Sequence, residues 1–196
     1  MSRNLKLVIL GFAFSLSVSF VLTYLIIPNI ESIHIIDNIF IGNDAKTYFE
    51  KGSFLANDFK NNYFTNIFYY LSIFPSFTLI IGALIFIFGQ SLVPIIIINS
   101  LLHSISAFYV QKMFSELLNK QALLYLPFFL YLMMPINFLW ISQPLKEPLI
   151  NFLIIYLLYK ILTNKINSLL SFKKLKLLII PFLLILSLRP YIISLI

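Results

Sequence analysis

Six long apolar runs dominate this sequence of 196 residues, of which 60% are hydrophobic and only 11% are charged. The runs are continuous and do not alternate with polar residues, which excludes a soluble globular domain. A helix needs roughly 20 mostly apolar residues to cross a bilayer. The sequence therefore predicts an all-α, polytopic transmembrane helix bundle. The runs are residues 5–28, 63–88, 92–110, 122–141, 149–162 and 177–196.

The basic residues lie between these runs, so the net charge of +7 reports membrane topology and not nucleic-acid binding. Cytoplasmic loops are enriched in Lys and Arg. Six spans with a cytoplasmic N-terminus would place most lysines outside, which inverts the rule. If residues 63–88 instead lie on the outer leaflet or re-enter it, five spans remain and the basic loops fall inside. We expect this arrangement, with six spans and an outer N-terminus as the alternative.

Three regions follow from this topology. Residues 1–28 form the first transmembrane helix, which is too long for the apolar core of a signal peptide and is expected to be retained. Residues 29–91 form an extracytoplasmic loop with an acidic site and an aromatic interfacial helix, and residues 92–196 form the transmembrane bundle. The last run ends at Ile196 without a polar flank, so we expect a truncated chain.

Asp44 lies in a polar stretch, residues 42–52, that the first span would hold just outside the membrane. A carboxylate at a bilayer surface can act as a base that activates an acceptor hydroxyl of a lipid-linked reaction. The alternative is a solvated aspartate that caps a helix predicted over residues 45–51, since Asp is a favoured N-cap. The two roles are compatible.

Five motifs follow one another from Asp44 onward. They are Asp44 with Tyr48, F-I-F-G at residues 86–89, Y-V-Q-K-M-F at 109–114, P-I-N-F-L-W-I-S at 135–142 and P-L-K-E-P-L-I at 144–150. In this order they resemble the N-terminal part of a membrane glycosyltransferase of the GT-C fold, the group of protein mannosyltransferases and aminoarabinose transferases. The sequence departs from the family at Ala45, where many members carry a second acid.

The resemblance implies transfer of a sugar from a polyprenyl-phosphate donor at the outer face of a bacterial inner membrane. Asp44 would be the catalytic base or a metal-assisting carboxylate, and Lys60 would match the residue that holds phosphate ahead of the aromatic helix. Participation of a divalent metal, the sugar, the acceptor and the oligomeric state stay open. The partners so implied are membrane lipid and the lipid-linked donor, with no nucleic acid.

Three further residues are candidates for substrate contact. Lys146 and Glu147 precede Pro148 at the outer start of a predicted span, where Glu147 contacts a metal or acceptor or else simply favours the helix dipole. Arg189 would lie about 18 Å along a helix that begins at residue 177, within a hydrocarbon core of roughly 30 Å. A charge at that depth predicts a functional role, here binding of the carrier phosphate; snorkelling to the headgroups is the alternative.

Other patterns favour structural roles. Asn99, His103 and Ser106 form a polar stripe that suits hydrogen bonding between helices. Two histidines without any cysteine exclude a zinc site of the usual composition. Two competing functions remain. A transporter or flippase subunit would show internal repeats and broken helices, neither of which the sequence predicts. A non-catalytic protein of envelope polysaccharide assembly would leave Asp44, Glu147 and Arg189 apart.

Overall fold

The computed structural model describes residues 3–29, 35–36, 39–40, 44–61, 76–118, 125–163 and 172–188. Nearly all of these residues are helical, which confirms the all-α class; two-residue strands β1 (Ile35–Ile36) and β2 (Ile39–Phe40) pair antiparallel. The predicted aromatic cluster at 63–70 and Arg189 lie outside the described residues. The helices are α1 (Arg3–Val21), α2 (Asp44–Lys60), α3 (Ser76–Phe88), α4 (Val93–Leu118), α5 (Leu126–Leu132), α6 (Pro135–Ile141), α7 (Glu147–Thr163) and α8 (Phe172–Leu188).

Within the part of the chain that the structure describes, two helical segments are long and apolar enough to cross a membrane. One is Asn4–Asn29, in which α1 continues through a π-helical and a 3₁₀ turn, and the other is Val93–Leu117 within α4. The predicted count of five spans is not confirmed by helix length. α7 and α8 have 17 residues each, and α3 has 13, about 20 Å in an ideal helix and short of a full hydrocarbon core.

The contacts between helices fix their directions. Ser104 Oγ donates to the Val8 carbonyl (2.6 Å), while Thr23, which follows α1, and Asn99 of α4 bind the adjacent carbonyls of Ser142 and Gln143. α1 therefore runs antiparallel to α4. The α4 residue Asn99 binds Gln143, just before α7, while Tyr109 packs on Tyr159 near the end of α7. α4 and α7 are therefore parallel. We call the end at which α7 begins the Asp44 end, and the end at which α4 and α7 finish the Lys112 end.

A helix break divides the run predicted as a single span over 122–141. α5 ends at Leu132 and α6 begins at Pro135, and Met133 and Met134 lie between them. Pro135 has no N–H with which to reach the Tyr131 carbonyl four residues earlier. The buried Asn137 side chain donates to that carbonyl instead (3.2 Å), so the freed backbone group is paired. The prediction that no helix would be broken is wrong, because Pro135 interrupts the apolar run.

α2 and α3 pack side by side in the same direction. Tyr48 contacts Phe77 at one end of the pair and Phe59 contacts Phe86 at the other. Between these two contacts the helices approach closely at Gly52, where an added Cβ would lie 2.7 Å from Ile81 Cγ2 and 3.1 Å from the backbone N of Gly82. The absence of a side chain at Gly52 is what allows this spacing.

One buried cluster joins α2 and α3 to α4, α7 and α8. Its members are Ala45, Tyr48, Ala56, Phe77, Ile81, Ile85, Leu92, Ile95, Ile96, Ile150, Leu153, Ile185 and Leu188. The predicted helix over 45–51 is too short, because buried Leu55 and Ala56 continue its apolar face and the helix extends to Lys60. α8 begins at Phe172, five residues before the predicted start of the last run, because the intervening lysines are good helix formers.

Candidate active site at the Asp44 end

A cluster of three polar side chains forms where the start of α2 meets the start of α7. The Lys146 ammonium group donates to the Tyr48 hydroxyl (Nζ to Oη, 2.8 Å), and Tyr48 in turn lies 3.3 Å from Asp44 Oδ2. Lys146 Nζ is also 3.7 Å from Asp44 Oδ2. Each residue therefore contacts the other two, although Asp44 and Lys146 are about a hundred positions apart in the sequence.

Local helix geometry accounts for the positions of Asp44 and Tyr48. Residues four apart lie on the same face of a helix, so Tyr48 is one turn above Asp44 and its hydroxyl reaches back to the carboxylate. The Tyr48 ring packs edge-on against Phe77 of α3, with centroids 5.1 Å apart. This contact fixes the ring, and Lys146 Nζ lies 5.4 Å from its centroid.

The loop before α7 is held in place by buried hydrogen bonds from two other helical segments. Thr23 Oγ1 donates to the Ser142 carbonyl (3.0 Å), and Asn99 Nδ2 donates to the Gln143 carbonyl (3.0 Å). The Lys146 carbonyl then accepts from the backbone N of Ile150 (3.0 Å), which begins the helix. Lys146 thus projects from a backbone that α1 and α4 both anchor.

Exposure differs sharply within the cluster. The Lys146 side chain is 12% exposed, whereas the Asp44 side chain is 64% exposed. Burial alone lowers the pKa of Lys146, but its hydrogen bond to Tyr48 and the negative charges of Asp44 and Glu147 outweigh burial and raise the pKa above its usual value. Burial raises the pKa of Tyr48. At neutral pH the cluster therefore contains an ammonium group and a neutral phenol beside the exposed Asp44 side chain.

The structure brings together some of the residues predicted from sequence and separates another. Asp44 and Lys146 are in contact, and Glu147 follows Lys146 as the first residue of α7, with Pro148 in its first turn as predicted. Lys60 is the last residue of α2, roughly 24 Å from Asp44 along an ideal helix, so the two do not share one site. Arg189 follows the last described residue of α8, Leu188.

Tyr48 is the residue that sequence reasoning did not place in the site. Its spacing of four from Asp44 was visible as a motif, but nothing in the sequence indicated that Lys146 would bind it. Among the described residues, no three His, Cys, Asp or Glu side chains gather closely enough to hold a metal ion.

The predicted polar stripe of α4 is buried and forms hydrogen bonds as expected. His103 is 3% exposed and pairs with Ser15 of α1, and Asn99 pairs with the loop before α7. The Ser106 hydroxyl donates within its own helix to Leu102 (2.7 Å). His103 thus connects α4 to α1, which confirms the predicted hydrogen bonding between helices for this residue, and Asn99 connects α4 to the loop before α7.

Comparisons of this chain with protein-family models, with curated proteins and with solved structures find no match. The residues of this chain are therefore the only basis for assigning its function.

Proposed function

We propose that this chain is a membrane glycosyltransferase of the GT-C type, or a part of one, which transfers a sugar from a polyprenyl-phosphate donor. The observation that carries the proposal is the exposed Asp44 carboxylate, held by partly buried Lys146 and by Tyr48 at one end of a helix bundle. A fixed carboxylate that stays open to solvent can receive a proton from an incoming hydroxyl group. Lys146 and Tyr48 orient it.

The proposed reaction needs one base. Asp44 accepts the proton of the acceptor hydroxyl, whose oxygen attacks the anomeric carbon of the sugar. The bond from that carbon to the phosphate oxygen breaks, and its electron pair leaves with the polyprenyl phosphate. Phosphate departs without an added proton, so no second acid is required. The phosphate contact is assigned to Arg189, which follows Leu188, a member of the same buried cluster as Tyr48.

The proposed topology has five spans, an outer-face helix α3 and a cytoplasmic N-terminus. Its support is the distribution of charge along the helices. Because α1 is antiparallel to α4 while α7 is parallel, Lys6, Lys112 and Lys160 all lie toward the Lys112 end. Asp44, the first residue of α2, lies at the opposite end of the bundle, where it contacts Lys146 just before α7. The positive-inside rule then places the Asp44 end outside.

The test is release of polyprenyl phosphate by the purified chain in lipid nanodiscs, supplied with a panel of polyprenyl-phosphate sugars and measured by mass spectrometry. We expect turnover of at least one donor and a loss of about 10²–10⁴-fold in Asp44→Asn. Glu50→Gln is the matched control, because Glu50 is an exposed carboxylate on the same helix. Full activity in Asp44→Asn, or no turnover of any donor, contradicts the proposal.

A transporter or flippase subunit is the second candidate, because the break between α5 and α6 lies beside buried polar groups. His103 packs against Tyr131 at this break, with ring centroids 5.2 Å apart, and transporters build substrate sites around discontinuous helices. This candidate predicts that His103→Leu abolishes donor movement across proteoliposomes while Asp44→Asn does not. A non-catalytic assembly role has less support, since Asp44 contacts the residue next to Glu147.

A further inference from the structure

A second cluster, built from tyrosines and lysines, lies at the Lys112 end of α4 and α7. The Tyr109 ring is 5.5 Å from Tyr156 and 5.0 Å from Tyr159, measured between centroids. Lys112 Nζ lies 5.8 Å from the centroid of Tyr159, and Lys160 Nζ lies 5.7 Å from the same centroid. We call Tyr109, Lys112, Tyr156, Tyr159 and Lys160 the tyrosine–lysine cluster.

The position of this cluster matches a membrane boundary. Lys112 is 19 residues after Val93, about 28 Å along an ideal helix, which is close to the roughly 30 Å thickness of a hydrocarbon core. Lys160 is in the last turn of the parallel helix α7. All five side chains are partly buried, and tyrosines are enriched where a bundle meets the headgroups. The cluster is therefore remote from Asp44 and plays no part in the proposed sugar transfer.

Positive charge exceeds negative charge around the cluster. Lys112 Nζ and Lys160 Nζ lie 5.8 Å and 5.7 Å from the same ring centroid, so their charges act at one place. Glu116, one turn after Lys112, is the only acidic residue in the sequence between Asp58 and Glu147. After Lys160 the sequence adds Lys165, Lys173, Lys174 and Lys176 before any further acid. This end thus offers an electrostatic site for an anion.

We propose that the tyrosine–lysine cluster binds the phosphodiester headgroup of an anionic phospholipid. Lys112 and Lys160 neutralise the phosphate, and the tyrosine hydroxyls are available to donate to its oxygens. Exposed apolar side chains on the membrane side of Lys160 identify a lipid as the source of the phosphate. Ile154 and Leu158 of α7 are 41% and 48% exposed, and acyl chains would cover them.

The experiment measures lipid binding to the purified full chain in detergent by native mass spectrometry. Phosphatidylglycerol is the anionic probe, phosphatidylcholine the zwitterionic one and inorganic phosphate the free anion. We expect preferential binding of phosphatidylglycerol. Each lysine near an anionic headgroup contributes roughly a fivefold gain, so Lys112→Gln/Lys160→Gln is expected to bind about 30-fold more weakly.

Two variants separate lipid recognition from loss of fold. Lys112→Arg/Lys160→Arg keeps both charges and is expected to keep the preference, while Lys46→Gln/Lys51→Gln removes two lysines from α2 and is expected to change nothing. The proposal is overturned if the Gln double variant binds phosphatidylglycerol as tightly as the parent, if phosphatidylcholine binds equally well, or if inorganic phosphate binds as tightly as the lipid. The last result would identify a soluble anion as the ligand.

Discussion

The hydrogen bond across the broken span makes a quantitative prediction for Asn137→Leu. Leucine is similar in size but cannot donate to the Tyr131 carbonyl. The other donors near that oxygen are the backbone N of Met134, at a long 3.4 Å, and the ring of His103. Asn137 is 4% exposed, so water cannot replace the lost bond. Polar bonds inside membrane bundles contribute about 0.6–1.7 kcal/mol and an unsatisfied buried group costs about 1–3 kcal/mol, so we expect a loss of about 1–2 kcal/mol.

A second substitution distinguishes this mechanism from a simple packing defect. Pro135→Ala supplies the backbone N–H that a continuous helix would direct to the Tyr131 carbonyl. In that background Asn137→Leu should cost about 1 kcal/mol less than in the parent, because the carbonyl has another donor. A double-mutant cycle reports this difference as a coupling energy.

Equilibrium unfolding in mixed detergent micelles is the assay, followed by fluorescence of Trp140, the single tryptophan of the chain, which lies on α6. Asn57→Leu is the control, because Asn57 is exposed on α2 and its replacement is expected to change stability by less than about 0.5 kcal/mol. Equal costs of Asn137→Leu with and without Pro135 would refute the reasoning, as would a cost no larger than that of the control.

Two further predictions concern the Asp44 end. Gly52→Val should lower the free energy of unfolding in detergent by roughly 1–3 kcal/mol, because even its Cβ would lie 2.7 Å from Ile81 Cγ2. The control Ala83→Val, on the exposed side of α3, should be nearly neutral. Equal melting temperatures for the two variants would contradict the close approach. The pKa values of Lys146 and Tyr48 are raised in the folded chain, so their contribution to stability is complete below pH 10 and is lost as the pH rises through the folded values. The free energy of unfolding, measured from pH 8 to 11, should decline in the parent and decline less in Lys146→Met. The same pH dependence in both proteins would contradict this prediction.

The sequence predicted the helical class well and the arrangement of helices poorly. Uninterrupted apolar runs require helices, because backbone groups in lipid must be paired within the segment. The same composition hides the break at Met133–Met134, since these side chains are as apolar as the helices beside them and only Pro135 signals it. The parallel order of α4 and α7 depends on side-chain contacts that hydropathy does not encode.

The candidate site was predictable only in part, for a similar reason. Asp44, Lys146 and Glu147 were identifiable as rare ionisable groups at the margins of apolar runs, where such groups need partners. Which of them meet depends on how the loop before α7 folds, and that loop is fixed by Thr23 and Asn99 from distant helices. Tyr48 could have been included from its helical spacing, since a tyrosine one turn from a carboxylate can reach it.

The parallel order of α4 and α7 also constrains biosynthesis. In the proposed topology α4 and α7 cross the membrane in the same direction, so the chain must return between them, and α5 and α6, two pieces of seven residues each, make that return. Neither piece is long enough to enter the bilayer independently, and the exposed carbonyl at their junction would oppose insertion into bare lipid. α4, already membrane-embedded when the ribosome delivers them, offers Ala107 for Phe128 and Leu132 to pack against. α5 and α6 thus depend on α4 as a packing surface when they enter the membrane.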